Sequence, residues 1–330
     1  MEYIYFLLVY CIAFIGVLFA ALCVVLMKTT TPHPVVKRTE KEKSFLNTKE
    51  GLRILFPSLD EPFSVLLSVI VPAYDEEKRL PPMLDECFEF LETRKKTLPR
   101  FTYEVIVVSD GSRDKTVEVA QEYTRKYGAN QCRVLNLQTN RGKGGAVRLG
   151  MQSARGAMLL FADADGATKF SDLVKLEDSL KSLVKGDYLT EAERISNTLA
   201  VVCGSRAHLE KDAIASRSLI RTILMHGFHL LVWTLAVRSV HDTQCGFKLL
   251  TREAARVLFS NLHVERWAFD VELLYLAEEL SIPVSEVCVN WTEIDGSKIV
   301  PVWSWLQMGQ DLFLIWLRYT IGAWKIHRHK

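Results

Sequence analysis

A chain of 330 residues with 49% hydrophobic and 24% charged side chains can bury one or two sizeable cores, which excludes bulk disorder. Its 41 cationic and 39 acidic side chains leave a formal charge of +2, so composition gives no case for nucleic acid as a partner. Seven scattered cysteines (Cys11, Cys23, Cys87, Cys132, Cys203, Cys245, Cys288), without a CxxC pair, read as reduced and mostly buried thiols.

Residues 3–27 carry no charge and are rich in Leu, Val, Ile, Phe and Ala, enough to cross a hydrocarbon core of about 30 Å. The run exceeds the apolar region of a cleaved signal, and no basic residue precedes it. Lys28, Lys37, Arg38, Lys41 and Lys43 follow it, against Glu2 ahead, so the positive-inside bias puts the rest of the chain in the cytosol. Residues 28–64 are polar, contain Pro and Lys and keep no sustained period, as a connector does.

Four continuous apolar runs come next, at 66–71, 103–108, 133–137 and 157–162, each the signature of a strand covered on both faces. Helical patterns at about 80–94, 116–127, 145–154 and 171–183 alternate with them. Strand and helix in turn with short links predict an α/β fold, a mostly parallel sheet flanked by helices, with ligands beyond the carboxyl ends of the strands. Further on, 214–240 is amphipathic and sets Arg217 and Arg221 on one helical face. Four of the seven tryptophans lie between Trp303 and Trp324, in a segment suited equally to the lipid interface or to ordinary packing.

The chemistry collects where strands end. Asp163-Ala164-Asp165 follows the fourth run, and alternate side chains at a strand end face one point, which suits a hard cation such as Mg²⁺ or Mn²⁺ with room for phosphate oxygens. Ser109-Asp110-Gly111-Ser112 follows the second, where Asp110 is an acceptor for a base imide N–H. Asn140-Arg141-Gly142-Lys143-Gly144-Gly145 follows the third and joins glycines to two cations ahead of a helix, suited to anionic groups. It matches neither a Walker A loop nor the dinucleotide fingerprint. His208, alone beside Arg206, reads as a hydrogen-bonding partner, and the sequon Asn290-Trp291-Thr292 as cytosolic and unmodified.

Together with Val71-Pro72-Ala73-Tyr74-Asp75-Glu76-Glu77, these motifs resemble family 2 glycosyltransferases of the GT-A fold. Gly204-Ser205-Arg206, the run from Asp242 to Lys248 and the run from Arg266 to Glu272 look like the dolichyl-phosphate β-glucosyltransferase branch, over about 43–324. The resemblance implies a metal-dependent, inverting transfer of glucose from UDP-glucose to dolichyl phosphate at the endoplasmic reticulum membrane. It also implies a site: Asp163 and Asp165 at the metal, Pro72, Tyr74, Glu76, Asp110, Arg141, Lys143 and Asp163 at the nucleotide sugar. Arg206, Arg217, Arg221 and Lys248 are the cations expected at the acceptor phosphate, with Arg206 also counted among the catalytic residues. Ser109 stands where the family commonly has Asp, and Asp75 where Asn is frequent; Asp110 is expected to suffice. His263 replaces the Gln of the QxxRW element of processive relatives. The expected division is an anchor over 1–28, a linker over 29–64, a nucleotide-sugar core over 65–210 and an acceptor-binding, membrane-interface part of the same domain over 211–330.

Overall fold

The computed structural model describes residues 2–209, 227, 232, 234–294, 296 and 303–327. The chain opens with helix α1 (Glu2–Thr29), whose apolar side chains are almost all exposed and which is long and apolar enough to cross a membrane. Strands β1 (Ser44–Asn47) and β2 (Leu52–Leu55) then pair antiparallel. The alternating region follows as β3 (Val65–Ala73), α2 (Leu80–Thr97), β4 (Tyr103–Asp110), α3 (Thr116–Tyr127), β5 (Cys132–Leu137), α4 (Lys143–Gln152), β6 (Gly156–Ala162) and α5 (Leu173–Val184). The short α6 (Ala192–Ser196), β7 (Val201–Ser205), β8 (Phe247–Thr251), α7 (Arg252–Asn261), α8 (Phe269–Glu279), β9 (Val284–Cys288) and α9 (Trp303–Thr320) complete the described elements.

The main sheet has the order β5-β4-β3-β6-β8-β7-β9. Only β8 runs against its neighbours β6 and β7, while β7 and β9 are parallel. Period-two alternation divides the core between the two faces. Leu67, Val69 and Val71 of β3 join Val105, Val107, Met158 and Leu160 under α2, α3 and α5. Ile70 joins Ile106, Val108, Leu159 and Phe161 under α4, α7 and α8. Full burial on both sides is why these strands read as unbroken apolar runs rather than as alternation.

One segment differs from expectation. The linker over 29–64 is folded: β1 lies against β5, the Arg133 guanidinium sits 4.7 Å from the Phe45 ring, and Glu42 is fully buried. Its first residues are tied to the chain's last described ones, with Lys325 N–H donating to Pro32 O at 2.9 Å, the His33 and His327 rings stacked at 3.7 Å, and Val36 packed on the core. Sequence period misses this because the contacts are individual and long-range. Helix α9, suited by sequence equally to the lipid interface or to ordinary packing, buries Leu312, Ile315 and Leu317, while the following Trp324 stacks on His263 at 4.2 Å. Packing against the domain accounts for that face, and Phe313 on another remains 37% exposed.

Candidate active site

Because six of the seven strands share a direction, the carboxyl ends of β3, β4, β5, β6, β7 and β9 open on one edge, which the amino end of the reversed β8 joins. Asp163 leaves β6 there, its N–H donating to Gly246 O at 3.1 Å just before β8. Gly246 is a close approach: a Cβ at that position would collide with the Asp163 carboxylate. Asp163 Oδ1 lies 2.6 Å from Lys143 Nζ at the start of α4. Burial opposes charge on Lys143, but Asp163 and Asp270 outweigh it and raise the ammonium's pKa. Asp165 accepts Ala167 N–H at 3.0 Å, and burial together with the Asp163 charge pushes its carboxyl upward.

A buried carboxyl whose ionisation a neighbouring carboxylate opposes is a donor that a divalent cation would relieve. Among the described residues, no group of three or more His, Cys, Asp and Glu side chains gathers as a ready metal cage. A cation held at Asp163 and Asp165 would therefore take its other ligands from water or from a phosphate-bearing substrate.

Behind Lys143, the charges alternate inward. Asp270 on α8 is 2.6 Å from Lys248 Nζ, and Lys248 also donates to Thr243 O at 3.1 Å and Cys245 O at 2.7 Å. Lys248 is fully buried with its three donors in use, which corrects its expected place at the acceptor phosphate. An ammonium has three N–H groups, and here the main chain and Asp270 take them all. Lys248 instead braces the turn that carries Gly246. Arg206 does face the open edge. Asp242 binds it twice, Oδ2 to Nε at 2.7 Å and Oδ1 to Nη2 at 2.9 Å, and Trp291 lies 5.4 Å from its guanidinium carbon. Arg206 is 32% exposed at the side chain. Arg217 and Arg221 lie outside the described residues.

The loops after β3 and β4 are stitched together. Asp75 has φ +51°, a left-handed conformation that Asn and Asp tolerate best among non-glycine residues, in keeping with the choice between those two types here. Its Oδ1 accepts Arg113 N–H at 2.7 Å, its N–H donates to Ser112 Oγ at 3.2 Å, and Glu76 N–H donates to Thr116 Oγ1 at 2.7 Å. Pro72 and Tyr74 are half-buried beside them. Glu76 holds Arg79 through Oε2 to Nε at 2.7 Å. Burial opposes charge on Arg79, yet Glu76 and then Asp165 and Asp163 raise its pKa, so this guanidinium belongs to the same field.

Asp110 has a task that its motif does not display. Its Oδ1 accepts Arg141 N–H at 2.7 Å and its Oδ2 accepts Gly142 N–H at 2.8 Å, at 3% exposure. A carboxylate occupied this way anchors the 140–142 loop, with one lone pair of each oxygen in use. Burial drives its pKa up to about 6, against the pull of those two amides. Ser109 is fully buried and donates to Ser112 Oγ at 3.0 Å. Gly142, at φ +89°, lets the loop turn where a Cβ would lie 2.6 Å from Glu265 O.

The structure thus gathers Asp163, Asp165, Lys143 and Arg206 at one edge, and brings Asp110 and Arg141 there through a shared loop. The sequence reading missed Arg79, Trp291, Asp242 and Asp270. Arg79 sits two residues past the motif that ends at Glu77, whereas Trp291, Asp242 and Asp270 lie within motifs already marked. Trp291 and Thr168 form a bridge beside Asp165, and Asn290 Nδ2 donates to Asp172 Oδ1 at 3.0 Å.

The model of glycosyl transferase family 2 matches residues 68–259. The dolichyl-phosphate beta-glucosyltransferase of Drosophila melanogaster is 60% identical over 96% of this chain and 94% of its own. The Homo sapiens protein of the same name is 55% identical over 96% of each chain. Among solved structures, glucosyl-3-phosphoglycerate synthase from Mycobacterium tuberculosis, with Mn²⁺, uridine diphosphate and phosphoglyceric acid, covers 79% of this chain and 80% of its own at 17% identity and a TM-score of 0.49. The chain belongs to glycosyl transferase family 2 and, within it, to the family of the dolichyl-phosphate beta-glucosyltransferases.

Proposed function

We infer that this chain transfers glucose from UDP-glucose to dolichyl phosphate with inversion, giving dolichyl β-D-glucosyl phosphate, on the cytosolic face of the endoplasmic reticulum membrane. The observation that carries this reading is 60% identity along 96% of the chain to a protein named as a dolichyl-phosphate beta-glucosyltransferase. The basic residues after α1 support the orientation, and α1 supports a single-pass anchor.

The lipid phosphate is a monoester whose second pKa near 6 leaves it largely a dianion at neutral pH. It needs no general base, so the protein's task is to hold two anionic substrates in line. Asp163 and Asp165 would hold Mg²⁺ or Mn²⁺, which when bound neutralises charge on the departing diphosphate. Lys143, held by Asp163, lies beside the diphosphate, and Arg79 adds a second positive field. Arg141 and the loop that Asp110 anchors receive the nucleotide, with Pro72, Tyr74 and Glu76 on its floor. Arg206, oriented by Asp242 and flanked by Trp291, takes the acceptor phosphate in a charge-assisted pair. The acceptor oxygen bonds to the anomeric carbon as the bond to UDP breaks on the opposite face, so an α-linked donor gives a β-linked product.

The test offers purified full-length protein, with dolichyl phosphate and Mg²⁺, labelled UDP-glucose and labelled GDP-mannose in parallel. Label should enter lipid from UDP-glucose, vanish with EDTA, return with Mg²⁺ or Mn²⁺, and fall at least about 10²-fold in Asp165→Asn. Transfer from GDP-mannose alone would overturn the glucose assignment, and transfer from neither would make the chain a binder without activity.

A further inference from the structure

The segment between α1 and β1 reaches the donor loop through one side chain. Glu42 is fully buried, an expensive place for a carboxylate, and its oxygens are committed. Oε2 accepts Thr39 N–H at 2.8 Å and Arg141 Nη2 at 2.9 Å, and Oε1 accepts Gln138 N–H at 3.1 Å. Glu42 is itself held, its carbonyl accepting Arg38 Nη2 at 2.6 Å, while that nitrogen also reaches Ser153 Oγ at 2.9 Å. The 138–142 stretch is therefore gripped at two places. Glu42 holds its first amide and the Arg141 side chain, and Asp110 holds the amides of Arg141 and Gly142.

We propose that the juxtamembrane segment 38–42 is part of the donor site, with Glu42 as the positioning residue that fixes Arg141 and the 138–142 loop to receive the diphosphate of a nucleotide sugar. Burial opposes its ionisation, but the amides of Thr39 and Gln138 and the Arg141 guanidinium hold the Glu42 carboxyl below its ordinary range. The loop is thus presented with a fixed negative partner at all physiological pH. Arg141 cannot swing toward solvent without leaving a buried carboxylate unpaired. The anchor's linker then does more than tether: it sets the affinity of the site it leads to. This inference rests on the reading of Arg141 and its loop as donor-binding.

The experiment compares full-length wild type, Glu42→Gln, Arg141→Ala and the double variant, with separate KM values for UDP-glucose and dolichyl phosphate. Loss of one charge-assisted pair should raise the UDP-glucose KM about tenfold in Glu42→Gln, with kcat and the lipid KM within about twofold of wild type. The double variant should be no worse than Arg141→Ala. If Arg141→Ala raises the donor KM and Glu42→Gln does not, the inference falls while the donor reading stands. If Arg141→Ala leaves the donor KM unchanged, the donor reading of the loop falls first. Equal loss in kcat and both KM values in Glu42→Gln would reduce Glu42 to a structural role and overturn the proposal. Hydrogen exchange of the wild type gives an answer that survives misfolding of the variants. Saturating UDP-glucose should slow exchange at the Thr39 and Gln138 amides together, and unchanged exchange at Thr39 would overturn it.

Discussion

Lowering the pH from 7 to 5 should weaken UDP-glucose binding about tenfold through Asp110, because a group with a pKa of about 6 is ionised only about one time in eleven at pH 5. The loop needs the ionised form. Both Asp110 oxygens accept backbone N–H groups, from Arg141 and Gly142, and a proton on either turns an acceptor into a donor facing an amide. Arg141 also lowers this pKa and Glu265 raises it, after the larger effect of burial. UDP-glucose suits the assay because its diphosphate is a diester with no ionisation near 6, whereas the lipid monoester titrates there and would obscure turnover. The binding isotherm of full-length protein, measured by calorimetry at half-unit steps, gives the profile.

Stability should move the opposite way. A carboxyl whose folded pKa is raised contributes stability that is fully present below its unfolded value, 3.8, and is lost as pH rises through about 6. The interval is 6 − 3.8, or about 2.2 units, which corresponds to roughly 3 kcal/mol at this almost fully buried group. Asp110→Asn cannot titrate, so its donor affinity should be weak and flat from pH 5 to 7. Wild type should gain up to about 3 kcal/mol in urea unfolding relative to this variant between pH 7 and pH 4. Wild-type affinity that changes less than twofold between pH 7 and 5, or a slope that survives in Asp110→Asn, refutes the loop-anchor role.

Gly246→Ala should lower kcat about 10²-fold with little change in melting temperature, since its Cβ must push the Asp163 carboxylate aside and misplacements of about 1 Å carry that cost. Normal turnover in that variant would show that Asp163 has room to spare. Lys248→Met should cost roughly 3–5 kcal/mol by leaving Asp270 buried and unpaired, and adding Asp270→Leu should recover most of it, as chemical denaturation of the single and double variants will measure. Arg206→Lys keeps the charge but not the two-pronged contact with Asp242, so it should raise the KM for dolichyl phosphate more than that for UDP-glucose. An equal rise in both would move Arg206 away from the acceptor.

Strands β3 to β6 and the helices between them were legible because burial on both faces writes a contiguous apolar run, and a helix writes its period. The α3 limits expected from sequence, 116–127, are those observed. Motifs were legible for a related reason: a parallel sheet puts every strand-end loop on one rim, so the motifs that carry the resemblance already contain Asp163, Asp165 and Lys143, which the fold brings to one edge. What stayed hidden depends on partners far along the chain. Glu42 meets Arg141 across 99 positions and Arg206 meets Asp242 across 36, and neither pairing leaves a local pattern. Lys248 and Asp110 were recognised as special from their motifs. The inward bonds of Lys248 and the loop contacts of Asp110 were not legible because burial, which sequence does not display, determines what a charged group can reach.

The handclasp between Pro32 and Lys325, with His33 lying flat on His327, removes the swivel that a long tether would have allowed. An apolar helix joined to its domain by so short a tether would pass its own inclination on to the catalytic rim, as a bracket does to a shelf. On the proposed reading of α1 as a single-pass anchor, the substrate mouth would keep a set height over the leaflet, where a lipid bears its phosphate at the headgroup level.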